Sequence, residues 1–358
     1  MAHGSAAARL FPLVPRRVAR GLSARYIAGV SVEEAVRVAR VLNARGLLAT
    51  LDILGESVYT EAEAAAYADD YLDALAALFQ AGLHPHVSIK PTALGSLVDW
   101  RICAQHVTCI AKAAVACGGR VCLDMERSSE IDGTLNLYRE LRDRELDNVG
   151  AVVQARLHRT RSDVVALAPL RPDMRICKGV YPELAGIAYT DAEAIRRNYL
   201  YCLDTLLESG GYAAIATHDE ALIVASLERI THYDRGPDTY EFQMLLGVRQ
   251  DLAEHLANAG HAVRVYIPYG EDWHHYAARR FRESPQILGH VMHAEARALV
   301  SRMFSRRRST DNETATQPAS RLPAQGDSLT NASRPSVLSS PRDGAGSSRP
   351  STPTDERA

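Results

Sequence analysis

Several common classes of protein are excluded by what this chain lacks. No uninterrupted apolar stretch reaches the roughly 18 residues of a bilayer span, so the body reads as soluble. The six cysteines, Cys103, Cys109, Cys117, Cys122, Cys177 and Cys202, form neither a CxxC pair nor a cluster with histidine. That pattern argues against disulfides and against any metal site, and fits free thiols in a reducing compartment. A net charge of −2 argues against a general nucleic-acid binder. After Phe304 the chain has no aromatic residue and few large apolar ones, so residues 305–358 cannot bury enough surface to offset the entropy of ordering and are expected to form a disordered tail.

Apolar material for a core is plentiful. Apolar residues make up 46% of the 358, enough for one domain of barrel size or two smaller ones. Five arginines precede Glu33, the first acid. A transit peptide shares that trait, but Val18, Leu22, Arg25 and Tyr26 fit an amphipathic lead-in helix, and residues 1–44 are read as a helical segment entering the fold.

Eight short β-branched runs follow: 47–55, 86–92, 120–126, 149–157, 174–181, 213–220, 240–246 and 263–270. Helical stretches separate them, among them EAEAAAYADDYLDALAALFQAG, where Leu72, Leu75, Leu78 and Phe79 are expected to form one apolar stripe. Strands that alternate with helices pair in parallel through right-handed crossovers, and eight such units predict an α/β fold, a (β/α)8 barrel of the TIM type over residues 45–304. The competitor is a doubly wound open sheet. It would usually bring a glycine-rich loop after the first strand, and LDILGES is not GxGxxG.

Polar residues gather where such a barrel places chemistry. Asp52 and Glu56 follow strand 1, Lys90 strand 2, Asp124 and Glu126 strand 3, Gln154 strand 4, Lys178 strand 5, and Thr217, His218 and Asp219 strand 6, with Gln243 in strand 7 and Tyr266 in strand 8. One alone would read as a satisfied core group; a polar group at each of eight strands points to the C-terminal mouth as the active site. Later, HHYAARRFRES sets Arg279 beside Arg280, with Tyr276 a turn before and Glu283 a turn after. Neighbours on a helix point about 100° apart, so both guanidinium groups can converge only on a small ligand between them, such as a carboxylate, while Glu283 at i,i+4 can hold Arg279. A solvated basic face is the plainer reading of the same residues.

Taken in order, RYIAG, LDILGE, VSIKPTALG, CLDME, VVQARL, RICKGVY, ATHDE, YEFQMLLGVR and VRVYIPYG followed by YAARRFRE resemble the flavin-dependent proline dehydrogenases of the monofunctional bacterial type, from Arg25 to Glu283. The resemblance implies oxidation of L-proline to 1-pyrroline-5-carboxylate by hydride transfer to FAD, with electrons passed to a quinone-type acceptor. It implies that Lys90, Arg279 and Arg280 clamp the proline carboxylate, with Glu283 beside them, while Leu245, Tyr266 and Tyr276 line the ring. Arg175, at the end of strand 5, would stabilise the reduced flavin, and Asp124 would position a neighbour. Met125, Gln154, Cys177, Lys178, Gly179, Val180, Thr217, His218 and Gln243 would hold FAD. Glu56 would pair with Arg279 as a gate. Val180 departs from the alanine usual in KGAY and bears on the pocket. The expected setting is cytoplasmic, with a peripheral contact at the inner face of the membrane and no nucleic-acid partner. Hydroxyproline dehydrogenase is the neighbouring reading, against which Tyr266 would crowd a ring hydroxyl. A Schiff-base lyase using Lys90 or Lys178, or a non-catalytic scaffold, are the readings from other classes.

Overall fold

The computed structural model describes residues 23–274, 276 and 277. Helices and strands alternate strictly along them: α1 Val32–Asn43, β1 Leu48–Ile53, α2 Glu61–Gln80, β2 His86–Ile89, α3 Trp100–Ala116, β3 Arg120–Leu123, α4 Ile131–Asp143, β4 Val149–Gln154, α5 Thr160–Leu167, β5 Asp173–Cys177, α6 Ala192–Glu208, β6 Tyr212–Ala216, α7 Glu220–His232, β7 Tyr240–Leu245, α8 Gln250–Asn258 and β8 Val263–Tyr269. All eight expected strands form. They pair in parallel in sequence order, and β8 returns to β1 to close the barrel.

The local signals account for the elements. Ser31 starts α1 as a capping box: its hydroxyl accepts the Glu34 N–H, and the Glu34 carboxylate accepts the N–H of Ser31. Helix α2 buries Ala64, Ala68, Tyr71, Ala74, Leu75 and Leu78. The expected stripe is therefore corrected at one end, because Phe79 is 59% exposed and Tyr71 takes the central buried place. Leu78 continues the three-and-four spacing from Leu75, and Phe79, the next residue, turns about 100° further round, beyond the buried arc.

Helix α1 packs outside β1 and β8. The segment before it is tied to the end of β8, with Ala28 N–H donating to Pro268 O and Gly270 N–H to Gly29 O. This seat is the one a helix following β8 would ordinarily fill. The chain after β8 instead crosses to the mouth, where Tyr276 is buried. The lead-in also meets the turn after β7: Arg25 Nε donates to Gly247 O, and Gly247 has a φ of +75°. A Cβ there would lie 2.1 Å from the Arg25 carbonyl oxygen. Gly247→Ala is expected to cost about 1–3 kcal/mol from left-handed strain and backbone overlap, lowering Tm by up to roughly 10 °C in a thermal melt. An unchanged Tm would mean that the lead-in yields freely.

Of the proposed segments, the first half of 1–44 and all of 305–358, with the disordered-tail reading, lie outside the described residues.

Candidate active site

Alternate strand residues point into a barrel, and the usual filling is layers of Val, Ile and Leu. Here many of the inward positions are polar or charged. A cavity of about 610 Å³ opens at the C-terminal mouth over Asp52, Lys90, Asp124, Arg175, Gln243 and Tyr266. A second cavity of about 260 Å³ lies below, lined by His86, Arg120, Glu241 and Arg264 among others. Arg175 and Gln243 line both, so they form the floor of one and the ceiling of the other.

Asp124 is the centre of the upper layer. It follows β3 directly, and its Oδ1 accepts from Arg175 Nη1 at 2.6 Å and Ser88 Oγ at 2.8 Å, while its Oδ2 accepts from the Tyr266 hydroxyl at 2.7 Å. Lys90 Nζ stands 3.9 Å from Asp124 Oδ2 and makes a close ion pair with Asp52. Burial opposes charge on Lys90, but Asp52 and Asp124 outweigh it and hold the ammonium above its ordinary range. Burial and the Asp124 charge push the Tyr266 phenol well above its own range, so it stays a donor. Arg175 is buried in mid-strand, not at the strand end as expected. Its Nη1 also reaches Ser88 Oγ at 2.9 Å, its Nε donates to Gln243 Oε1 at 2.5 Å, and its guanidinium lies 5.4 Å from the Tyr266 ring centroid.

The network continues downward. Gln243 Nε2 donates to Glu241 Oε1, Glu241 holds Arg264 by both carboxylate oxygens, and Arg264 Nη1 donates to Ala49 O at 2.9 Å. The amide of Gln243 is therefore fixed: a group that only accepts stands on one side and one that only donates stands on the other.

One wall of the mouth comes from β5, β6 and β7. Cys177, Lys178, Gly179 and Val180 line it with Thr217, His218 and Leu245, and Met125, after β3, lines the same cavity. Burial pushes the Cys177 thiol up to about 11, so it is a packing group and not a nucleophile. His218 accepts the Leu245 N–H at Nε2, which puts the ring proton on Nδ1. Against the effect of burial, Lys178 and Arg196 hold Asp219 down to about 2. Gly179 has a φ of +94°, and a Cβ there would lie 2.6 Å from Gln154 Oε1. Gln154 thus sits behind the wall, its Nε2 donating to Glu126 O at 2.6 Å.

Fourteen of the residues to which the sequence resemblance gives a role line this cavity, including Tyr276 from beyond β8. Gln154 and Glu56 do not line it; Glu56 instead accepts the Tyr181 hydroxyl at 3.1 Å. Arg279, Arg280 and Glu283 lie outside the described residues. Sequence reading passed over Ser88, Tyr181, Glu241 and Arg264. Ser88, Glu241 and Arg264 had a signal in strand parity, each two residues before a singled-out polar group.

The walls fit a flat, partly polar cofactor. Among the described residues, Arg175 Nη2 on the cavity floor and Gln154 Oε1 behind Gly179 are buried without a protein partner, one a donor and the other an acceptor. Such atoms cost roughly 1–3 kcal/mol each unless a bound group satisfies them.

Comparison with known proteins agrees with this geometry. The family model described as proline dehydrogenase matches residues 35–292. The chain is 38% identical over 275 residues to a proline dehydrogenase of Deinococcus radiodurans, covering 76% of this chain and 89% of that one. It is 34% identical over 268 residues to proline dehydrogenase 1 of Bacillus subtilis, covering 75% and 88%. Among solved structures it is similar to proline utilization A from Bdellovibrio bacteriovorus inactivated by N-propargylglycine, with a TM-score of 0.70 and 26% identity over 74% of this chain. The chain spans 32% of that larger protein.

Proposed function

This chain belongs to the proline dehydrogenase family, whose members are oxidoreductases acting on proline, and on that premise we propose that it oxidises L-proline to 1-pyrroline-5-carboxylate with FAD as resident cofactor. The observation that carries the reading is the Asp124-centred network facing a cavity with largely apolar walls. Oxidation here removes a hydride from the ring carbon beside nitrogen and a proton from the amine, so the protein must orient and exclude water, without supplying a nucleophile. A bound flavin supplies the acceptor for the hydride.

The chain's own residues divide the remaining work. Lys90, held charged, is set to receive the substrate carboxylate together with Arg279 and Arg280. Leu245, Tyr266 and Tyr276 give the apolar and aromatic surface for the ring, and the Tyr266 hydroxyl is tied back to Asp124, which crowds a hydroxylated ring. Arg175 presents fixed positive charge on the cofactor side, where reduction builds negative charge. Met125, Cys177, Lys178, Gly179, Val180, Thr217, His218, Gln243 and Gln154 would hold the cofactor. The extra methyls of Val180, which is 39% exposed, narrow the same wall. Glu56 would exchange Tyr181 for Arg279 as the gate closes. A quinone-type compound is the proposed acceptor, reached through peripheral contact with the inner membrane face. No helix among the described residues is long and apolar enough to cross a membrane.

The lyase reading is weakened by the same geometry. A Schiff base needs a neutral amine, whereas Lys90 is paired with Asp52 and Lys178 with Asp219. The purified protein is expected to be yellow and to bleach anaerobically when L-proline is added, with 4-hydroxyproline slower. A colourless protein trapped on lysine by borohydride would reverse the assignment.

A further inference from the structure

Glu126 is a buried acid that the chemistry above does not use and that does not line the mouth cavity. It holds one residue by two bonds. Its Oε1 accepts from the Thr92 hydroxyl at 2.6 Å, and its Oε2 accepts from the Thr92 N–H at 3.0 Å. Thr92 in turn holds the β1–α2 loop: its hydroxyl oxygen accepts the Ser57 N–H at 3.0 Å, and its carbonyl accepts the Val58 N–H. Ser57 has a φ of +63°, uncommon for a residue with a side chain, so that loop conformation depends on outside bonds to persist. The backbone carbonyl of Glu126 meanwhile accepts from Gln154 at the end of β4.

Two functional side chains hang from this arrangement. Lys90 is two residues before Thr92, and Glu56 immediately precedes Ser57. We propose that Glu126 is a positioning residue that, through Thr92, sets the placement of Lys90 and of the Glu56 loop, and so governs how tightly the site holds its carboxylate substrate. The inference rests on the proline reading above. Nothing in it requires Glu126 to touch substrate or cofactor.

The protonation state of Glu126 decides how the clasp is made. Ionised, it only accepts, which matches two donors on Thr92. Protonated, one oxygen becomes a donor, and the Thr92 hydroxyl loses its acceptor. Burial raises this carboxyl to about 7, with Lys90 pulling down and Glu56 pushing up. The other titratable groups near it are Cys103 on α3, which burial keeps protonated, and Asp124 and Glu130 on its own segment. The clasp is therefore complete above neutral pH and loosened below it.

The test is steady-state kinetics of the full-length holoenzyme with L-proline and a soluble acceptor between about pH 6 and pH 8, for wild type, Glu126→Gln, Thr92→Val and Thr92→Ser. Glutamine has the shape and donor pattern of the protonated acid. Wild-type KM is expected to rise about 2- to 10-fold on going down this range, the worth of a lost hydrogen bond. Glu126→Gln should show the high KM throughout, flat with pH, with kcat changed less than about threefold. Thr92→Val should behave alike and Thr92→Ser like wild type. A Glu126→Gln KM profile that superposes on wild type would overturn the proposal. If that variant does not fold, a wild-type profile in Thr92→Val overturns it equally. Absence of proline turnover in the wild type would instead reject the functional reading on which it rests.

Discussion

Arg175→Met is expected to slow flavin reduction by proline about 10²–10³-fold, the largest loss for any single side chain that the structure describes. The guanidinium is buried and joins four groups at once: Asp124, Ser88, Gln243 and the ring of Tyr266. Removing it strips Asp124 of its closest cation and leaves Gln243 Oε1 without a donor. Breaking a buried pair in this way typically costs about 3–5 kcal/mol. Part of that cost appears as stability and the rest as misplacement of Tyr266 and Asp124 at the mouth. Arg175→Lys should recover only a fraction, since one ammonium cannot donate in both the Nε and Nη1 directions. Stopped-flow reduction, with the flavin-to-protein ratio measured alongside, separates a lost rate from a lost cofactor. A rate within about tenfold of wild type at full flavin content would show that Arg175 is architectural.

Arg280→Met is expected to raise the proline KM by about 10- to 150-fold while FAD stays bound. The residue stands four after Tyr276, a spacing that shares one face of a helix, and Tyr276 lines the mouth cavity. A charge-assisted bond to a carboxylate contributes about 1.5–3 kcal/mol, and a residue that reads only the substrate carboxylate should change KM more than flavin content. An unchanged KM would reject the paired-arginine clamp and return both residues to a solvated basic face.

How much was readable in the amino-acid order can be judged from particular residues. All eight strands were legible because each is a short β-branched run bounded by turns, and the closed parallel order followed from their alternation with helices. The mouth residues were legible because a barrel interior is ordinarily filled by Val, Ile and Leu, so polar groups recurring near the ends of its strands stand out against that filling. Arg175 was misplaced by two residues because a strand boundary leaves no mark in an apolar run. Glu241 and Arg264 were passed over for a different reason. A lone acid within a strand reads as a satisfied core group, and its partner lies 23 residues and a helix away on β8, so that only the parallel pairing of β7 with β8 brings the two together. The clasp of Glu126 on Thr92 was hidden likewise, since 34 residues and a helix separate the two.

The pairing of β1 with β8 has a consequence for biosynthesis. Arg264 donates to the carbonyl of Ala49 across 215 residues, and six residue pairs align along that seam. Until β8 leaves the ribosome, β1 has an open edge with unpaired N–H and C=O groups, and α1 has only half its seat. Contacts of such long sequence separation form late, because the loop entropy must be overcome before they contribute. The nascent chain therefore spends most of its synthesis as an incomplete sheet that can pair edge to edge with a neighbouring copy, and its yield in the cell should depend on chaperone capacity more steeply than its final stability would suggest.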